Sequence, residues 1–448
     1  MKKLSLFLLM LLLVTSLLLA SCGESASSGS DSSGGGAAAS SRPEADSTAQ
    51  WGANRGDSDI SELLFPDRQG VTGNITVFVP WAVDTRWNTI KSEFEKQYPG
   101  ATIEYRSAPW ATRALILNSM VSSGNPPDVV SCTSDDFPAR AIMEVIQPID
   151  DLIDANSPCL SQYLMNNFTV WEGKHYAMIG NSAPMVMYFN TKMFRDAGEK
   201  TPVDHYNAGT WNWDTLRKLA MALTEDTNND GKTDIWGYGM DDEFMFALAN
   251  GSDVIKINNG KPELNIDDPK FRTGMTFFYD MVNKDKCVYP DRWASFLDGF
   301  KKNKIAMCYW RQYHAKELTE ENFENWDAVP FPKAPGQENY VSVMSSDGWG
   351  LATGAKNRIG GMAYAEFCSN YNTKVARSPA HVKYFTEEQE KRILDCSPAS
   401  TYIYAYGLEG SFASEFCNLM RGNGSFASLL EEYRPIWTKN IKDVLEGN

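Results

Sequence analysis

Ile75-Thr76-Val77-Phe78-Val79-Pro80 is a β-branched, apolar run closed by a proline, and it predicts a buried first strand. Immediately downstream, Trp87, Ile90 and Phe94 recur at helical spacing up to Tyr98, and Pro99-Gly100 stops the helix. Thr102-Ile103-Glu104-Tyr105 reads as a second strand, Leu115 to Val121 as a helix, and Asp128-Val129-Val130-Ser131 as a third strand. Strand, helix, strand in short order predicts a parallel α/β sheet. Ligands of such sheets sit beyond the carboxyl ends of the strands. That rule puts Trp81, Asp84, Asp135 and Asp136 at a ligand-facing rim.

Upstream of this sheet the chain changes character. Lys2-Lys3, an almost uninterrupted apolar run from Leu4 to Ala20 and small residues before Cys22 have the order of a secretory signal peptide. Leu19-Ala20-Ser21-Cys22 resembles the bacterial lipobox, which implies cleavage after residue 21 and a diacylglycerol on the Cys22 thiol. An anchor left in the bilayer would need about 20 apolar residues, and this run is shorter. From Gly23 onward the chain is mostly Ser, Gly and Ala, a composition that cannot bury enough apolar surface to fold. Residues 1–21 therefore read as a signal peptide, and 22–65 as a lipidated cysteine with a flexible linker.

What remains is too long for one ordinary domain and suits two lobes. A hydrophobic fraction of 43% with 12% aromatic residues supports sizeable cores. The formal charge is -15, and loss of Lys2 and Lys3 leaves -17 on the processed chain. No long basic run appears, so nucleic-acid binding, which needs clustered Lys and Arg against phosphates, is excluded as an expectation. With Cys22 lipidated, seven thiols remain: Cys132, Cys159, Cys287, Cys308, Cys368, Cys396 and Cys417. An odd, widely spaced set without C-x-x-C fits neither a full disulfide framework nor a zinc site, and most of these residues read as small buried apolar groups.

Three further stretches carry a resemblance. Gly124-Asn125-Pro126-Pro127-Asp128-Val129, then Pro184-Met185-Val186-Met187-Tyr188-Phe189-Asn190 leading to Phe194 and Gly198, then Trp326-Asp327-Ala328-Val329-Pro330-Phe331-Pro332, in that order, are similar to the extracellular solute-binding proteins of carbohydrate ABC importers. Phe189 departs from the family, which usually has Tyr there. The resemblance, from about Gly73 to the C-terminus, implies a periplasmic-binding-protein-like α/β fold with two lobes, a multi-crossover hinge and a ligand cleft between them. It divides the chain into an N-terminal lobe, 66–184 plus 343–373, and a C-terminal lobe, 185–342 plus 374–448. Crossings are implied near Pro184 to Val186, Tyr340 to Val343 and Tyr371 to Ser378. The implied partners are a small sugar and the permease subunits of an ABC importer, with a monomeric receptor held on the outer face of the cytoplasmic membrane through Cys22.

A sugar ring has apolar C–H faces and a polar rim, so indoles cover the face while carboxylates and guanidinium groups bind the edge. Trp81, Trp110, Trp310 and Trp349 are the candidate platforms. Asp84, Asp135, Asp136, Asp242 and Asp347 are the candidate hydroxyl acceptors, with Arg86 and Arg311 as donors. Packing in a core is the competing reading of each Trp. Ser345-Ser346-Asp347-Gly348-Trp349-Gly350 stands out because its glycines allow close approach at a strand start.

No cofactor is required, but one loop suggests a structural calcium. Asp226, Asn228, Asp230, Lys232 and Asp234 alternate as in a calcium loop with Gly231 at its sixth position, yet Gly237 stands where a bidentate Glu is expected. Asp241 or Glu243 could complete a shell; otherwise the stretch is an Asx-rich turn. Paired acids beside Trp also describe a lipid-anchored glycosidase or lyase, or a glycan-binding adhesin. His175, His205, His314 and His381 show no metal spacing, and no G-x-S-x-G or H-E-x-x-H occurs, so the chain reads as a receptor and not an enzyme.

Overall fold

The computed structural model describes residues 68–447 apart from 134–135, 154–168, 241–243, 259–260, 291–294, 313, 377–383, 400–407, 409–411, 413–414, 417, 420–421 and 423. At 179–183, 295, 345–347, 370–376 and 398 it describes the backbone alone. The expected signal peptide, lipidated Cys22 and linker up to residue 65 lie outside these residues.

Among the described residues, ten strands share one hydrogen-bonded sheet: β1 Gly73–Val79, β2 Ala101–Ser107, β3 Val129–Thr133, β4 Ile146–Gln147, β5 Ala177–Asn190, β6 Trp236–Met240, β7 Ile305–Arg311, β8 Trp326–Val329, β9 Val341–Ala352 and β10 Ser397–Ala399. The path runs β2-β1-β3-β9-β5-β7-β6, with β8 on β5 and both β4 and β10 on β9. The pairs β1–β2, β1–β3 and β7–β6 are parallel, whereas β9 and β5 run antiparallel through the middle. The helices that matter for the site are α1 Thr85–Gln97, α2 Arg113–Ser122, α3 Trp213–Ala222, α4 Pro269–Asn283, α5 His314–Glu320, α6 Arg358–Ala376 and α7 Phe426–Glu446.

Alternation of side chains across a strand divides the cores. On the N-terminal side, Ile75, Val77, Val79 and Val129 join Trp87, Ile90 and Phe94 of α1 and Met362 to Cys368 of α6 on one face. Phe78, Val130 and Cys132 join Leu117 of α2 on the other. The C-terminal half repeats the arrangement: Met185, Met187, Phe189, Met307 and Tyr309 face α3 and α4, while Val186, Tyr188, Cys308 and Trp310 face α5. Each half is thus a sheet covered on both faces, which explains why its strands read as continuous apolar runs. The fold is two-lobed α/β of the periplasmic-binding-protein type.

Among the described residues, two strands connect the lobes. From Ala177 to Pro184, β5 pairs with β9; from Met185 onward it pairs with β7 and β8. Pro184, opposite Met344, has no N–H to give the ladder and sits where the partner changes. Correspondingly, β9 pairs with β10 over Val341–Val343 and with β5 and β3 beyond. Of the third implied crossing, Tyr371 to Ser378, residues 371–376 are backbone at the end of α6 and 377–378 lie outside the described set.

Candidate functional site

Register brings the carboxyl ends of both lobes to the crossing strands. Thr133, the last residue of β3, pairs with Asp347 of β9, which pairs with Asn181 of β5. Arg311, the last residue of β7, pairs with Met185 of the same β5. The two ends are therefore level with points four residues apart on one strand, about 13 Å at the usual rise. At the N-terminal lobe's end of this stretch the β9–β5 ladder shifts register between Asp347 and Gly348, the kind of irregularity that re-aims side chains near a site. The segments that follow β1, β2, β3 and β7 all open onto this region, where ligands of α/β sheets bind.

Beyond β1, Trp81 is half-buried, stacked on Trp87 (5.3 Å, 23°) and edge-on to Trp349. Its indole N–H is buried and finds no acceptor among the described residues. Asp84 is the N-cap of α1: its Oδ1 accepts from the N–H groups of Arg86 (2.9 Å) and Trp87 (3.2 Å), so this oxygen holds the helix start and is not a free sugar acceptor. Arg86 lies over the Trp87 ring at 5.3 Å.

Beyond β2, the half-buried Trp110 begins a 3-10 turn that leads into α2. Arg113 lies 3.8 Å from its ring centroid and donates from Nη1 to the Trp110 carbonyl (2.9 Å). The same guanidinium donates from Nε to Asp136 Oδ1 (3.1 Å), while Asp136 Oδ2 receives Thr133 Oγ1 (3.0 Å) and pairs with Arg140 Nη2 (2.8 Å). Both oxygens of the buried Asp136 are thus occupied. The sequence expectation of a hydroxyl acceptor there is corrected to a buried anchor that fixes Arg113 beneath Trp110. Spacing could have shown this: Asp136–Arg140 is an i,i+4 pair, and Trp110–Arg113 an i,i+3 pair at a helix start.

On the C-terminal lobe, Trp310 is only 7% exposed, with the His314 ring stacked on it (3.3 Å, 22°) and Phe296 at its edge. Burial lowers the His314 pKa below its ordinary value, against its hydrogen bond to Glu317, which raises it. The neutral ring donates from Nδ1 to Glu317 Oε2 (3.0 Å), and this bond holds the Glu317 carboxyl below its usual range. Gln312 follows Arg311 and is buried, and the Tyr188 hydroxyl donates to its carbonyl (2.9 Å).

Trp349 is 3% exposed, enclosed by Trp81, Trp87 and Tyr364. Neither Trp310 nor Trp349 leaves an open ring face, so both are corrected to core rings behind the rim. Gly350 serves packing too, because a Cβ there would lie 2.9 Å from the Tyr176 carbonyl. Trp81 and Trp110 keep partial exposure. Asp135 and Asp242 lie outside the described residues, and Asp347 is described by its backbone alone.

In the Asx-rich loop, Asp226 accepts from the N–H groups of Asp230 and Gly231, Asn228 from Asp230, Asp230 from Lys232, and Asp234 from both N–H and Oγ1 of Thr227. Among the described residues no group of three or more His, Cys, Asp or Glu converges to hold a metal. Cys132, Cys287 and Cys368 are buried thiols outside any disulfide, and burial pushes each of them up to about 12. They are protonated at neutral pH and unsuited to nucleophilic chemistry. No helix among the described residues is long and apolar enough to cross a membrane.

Comparison with known proteins follows the same lines. The ABC substrate-binding protein of Listeria monocytogenes, solved with cycloalternan, superposes with a TM-score of 0.64 at 17% identity, over 83% of this chain and 99% of that one. The sugar-binding protein MalE of Xanthomonas citri gives 0.65 at 12% identity, over 83% and 98%. At such identities the likeness shows the fold alone. A curated binding protein of Brucella abortus is 21% identical over 239 residues, which are 52% of this chain and 56% of that protein, so the chain spans little more than half the length of the curated relatives it matches. The family model of bacterial extracellular solute-binding proteins matches residues 82–370, well over half of the chain. The family is one of extracytoplasmic binding proteins and not of enzymes. On that match, the chain belongs to the bacterial extracellular solute-binding proteins.

Proposed function

We propose that the chain is a lipid-anchored receptor that captures a small sugar between its lobes and hands it to an ABC importer by hinge closure. The observation that carries this reading is the convergence of strand carboxyl ends from both lobes on the exchange point of β5 and β9, with Trp81 and Trp110 partly exposed at the rim. Solved relatives of the same fold were obtained with cycloalternan, α-D-tagatose and maltotetraose, which supports a carbohydrate ligand. The lipobox-like Leu19-Ala20-Ser21-Cys22 and the linker behind it support an anchored receptor on the outer face of the cytoplasmic membrane, where a leash raises the local concentration of captured solute near the permease subunits. The lobe limits near 184, 343 and 373 belong to the same reading.

The test is a panel of glucose, maltose, cellobiose, mannobiose and maltotriose, each incubated with the full chain. At least one sugar is expected to raise the melting temperature while being recovered unmodified. Appearance of hydrolysed or eliminated products would overturn the receptor reading. Absence of stabilisation across the panel would overturn the sugar reading.

A further inference from the structure

Gln312 stands at the carboxyl end of β7, directly after Arg311, which is level with the lobe exchange on β5. Its side chain is 3% exposed, and its Oε1 finds no donor among the described residues. Its main chain is tied down, because the Tyr188 hydroxyl is shared between the carbonyls of Arg311 (3.1 Å) and Gln312 (2.9 Å). A buried acceptor without a partner costs about 1–3 kcal/mol, and folded proteins keep few of them. Packing does not require it, since a leucine would fill a similar volume without the cost.

Across the crossing strands, the other lobe presents the opposite group: the buried indole N–H of Trp81, also without a partner among the described residues. One lobe thus offers an unused donor and the other an unused acceptor. A hydroxyl both accepts and donates, whereas a carboxylate only accepts and an ammonium only donates. A hydroxyl can therefore serve either lobe, accepting from the Trp81 N–H or donating to Gln312 Oε1.

We infer that Gln312 Oε1 accepts a hydroxyl of the bound solute and is a specificity-determining residue that selects for a hydroxyl at one position of it. The inference rests on the receptor reading above and names the group on the C-terminal lobe that would read the ligand.

The experiment compares the full wild-type chain with Gln312→Leu and Gln312→Glu. Calorimetry uses the tightest binder among glucose, maltose, cellobiose and mannobiose, together with its singly deoxygenated analogues. Gln312→Leu is expected to weaken the parent sugar about tenfold or more, to lose nothing further on one deoxy analogue, and to melt no lower than wild type when sugar-free. Gln312→Glu, which keeps an acceptor, is expected to retain most of the affinity. Equal affinity of Gln312→Leu and wild type would overturn the inference, as would a lower sugar-free melting temperature of Gln312→Leu, the mark of a structural role. If wild type binds none of the four sugars, the sugar reading fails separately. The sugar-free melting comparison still decides whether Gln312 carries an unused acceptor.

Discussion

Asp84 and Asp128 look alike in the chain, each an acid beside a strand, and the structure gives them unequal work. Asp84 is exposed and caps α1 through one oxygen. Asp128 is buried: its Oδ2 receives the N–H and hydroxyl of Thr76 in β1, and its Oδ1 receives the N–H groups of Lys356 and Asn357 just before α6. Removing a cap costs about 1 kcal/mol, whereas removing Asp128 strands several buried donors, each worth about 1–3 kcal/mol. Asp128→Ala is therefore expected to lower unfolding stability by at least twice as much as Asp84→Ala in urea titrations; equal losses would refute the staple. Nothing local distinguishes the two acids, because Asp128 meets partners more than two hundred residues away. The tryptophans behave the same way. Gly348 and Gly350 made Trp349 look accessible, but the glycine freedom is used against the Tyr176 carbonyl, and the ring is closed in by α1 and α6.

At the scale of elements, legibility follows the range of the interactions. The strand at Ile75–Val79 and the α1 face of Trp87, Ile90 and Phe94 were readable because periodicity and Pro80 are local signals. The change of partner in β5 is not local: Met185–Phe189 has the same apolar character as a strand that stays in one sheet, and the motif resemblance marked the position where composition did not. The Asx-rich loop is the reverse case, a local pattern with two physical outcomes. It joins Glu225 to Ile235, which form a bridge, and its acids each take up N–H groups of the loop itself. A loop closed by its own hydrogen bonds gains little from an ion, so we propose a self-capped turn in place of a calcium shell. Millimolar calcium chloride is expected to leave the melting temperature unchanged, and Asp234→Ala, which strips the Thr227 contacts, to lower it slightly. A rise with calcium that is reversed by chelation would restore the metal reading.

At the scale of the molecule, the cores are almost wholly separate. Among the described residues, two apolar clusters belong to the N-terminal lobe and two to the C-terminal lobe, and Ala139, Val343 and the partly buried Ile142 are the N-lobe side chains that join the large cluster containing α7. A rotation of one lobe against the other therefore opens little packed core and is concentrated at β5, β9 and this small contact, which would act as a pivot. Pro184 lacks the N–H that would tie the ladder at the exchange, so the strand is short of a hydrogen bond where the proposed hinge would flex. Such a hinge closes only as far as a ligand binds the closed form better than the open one. On the inference drawn above, the unused donor of Trp81 and unused acceptor of Gln312 would supply that difference, because a solute touching one lobe would satisfy one group and a solute held by both would satisfy two. Small-angle scattering of the full chain is therefore expected to show a smaller radius of gyration at saturating concentrations of a sugar that calorimetry shows to bind. For Gln312→Leu, compaction at saturation should be weaker, since the closed form has lost part of its advantage. A binding sugar that leaves the radius unchanged in wild type would mean that recognition is completed on one lobe, and the two crossing strands would then be a fixed joint.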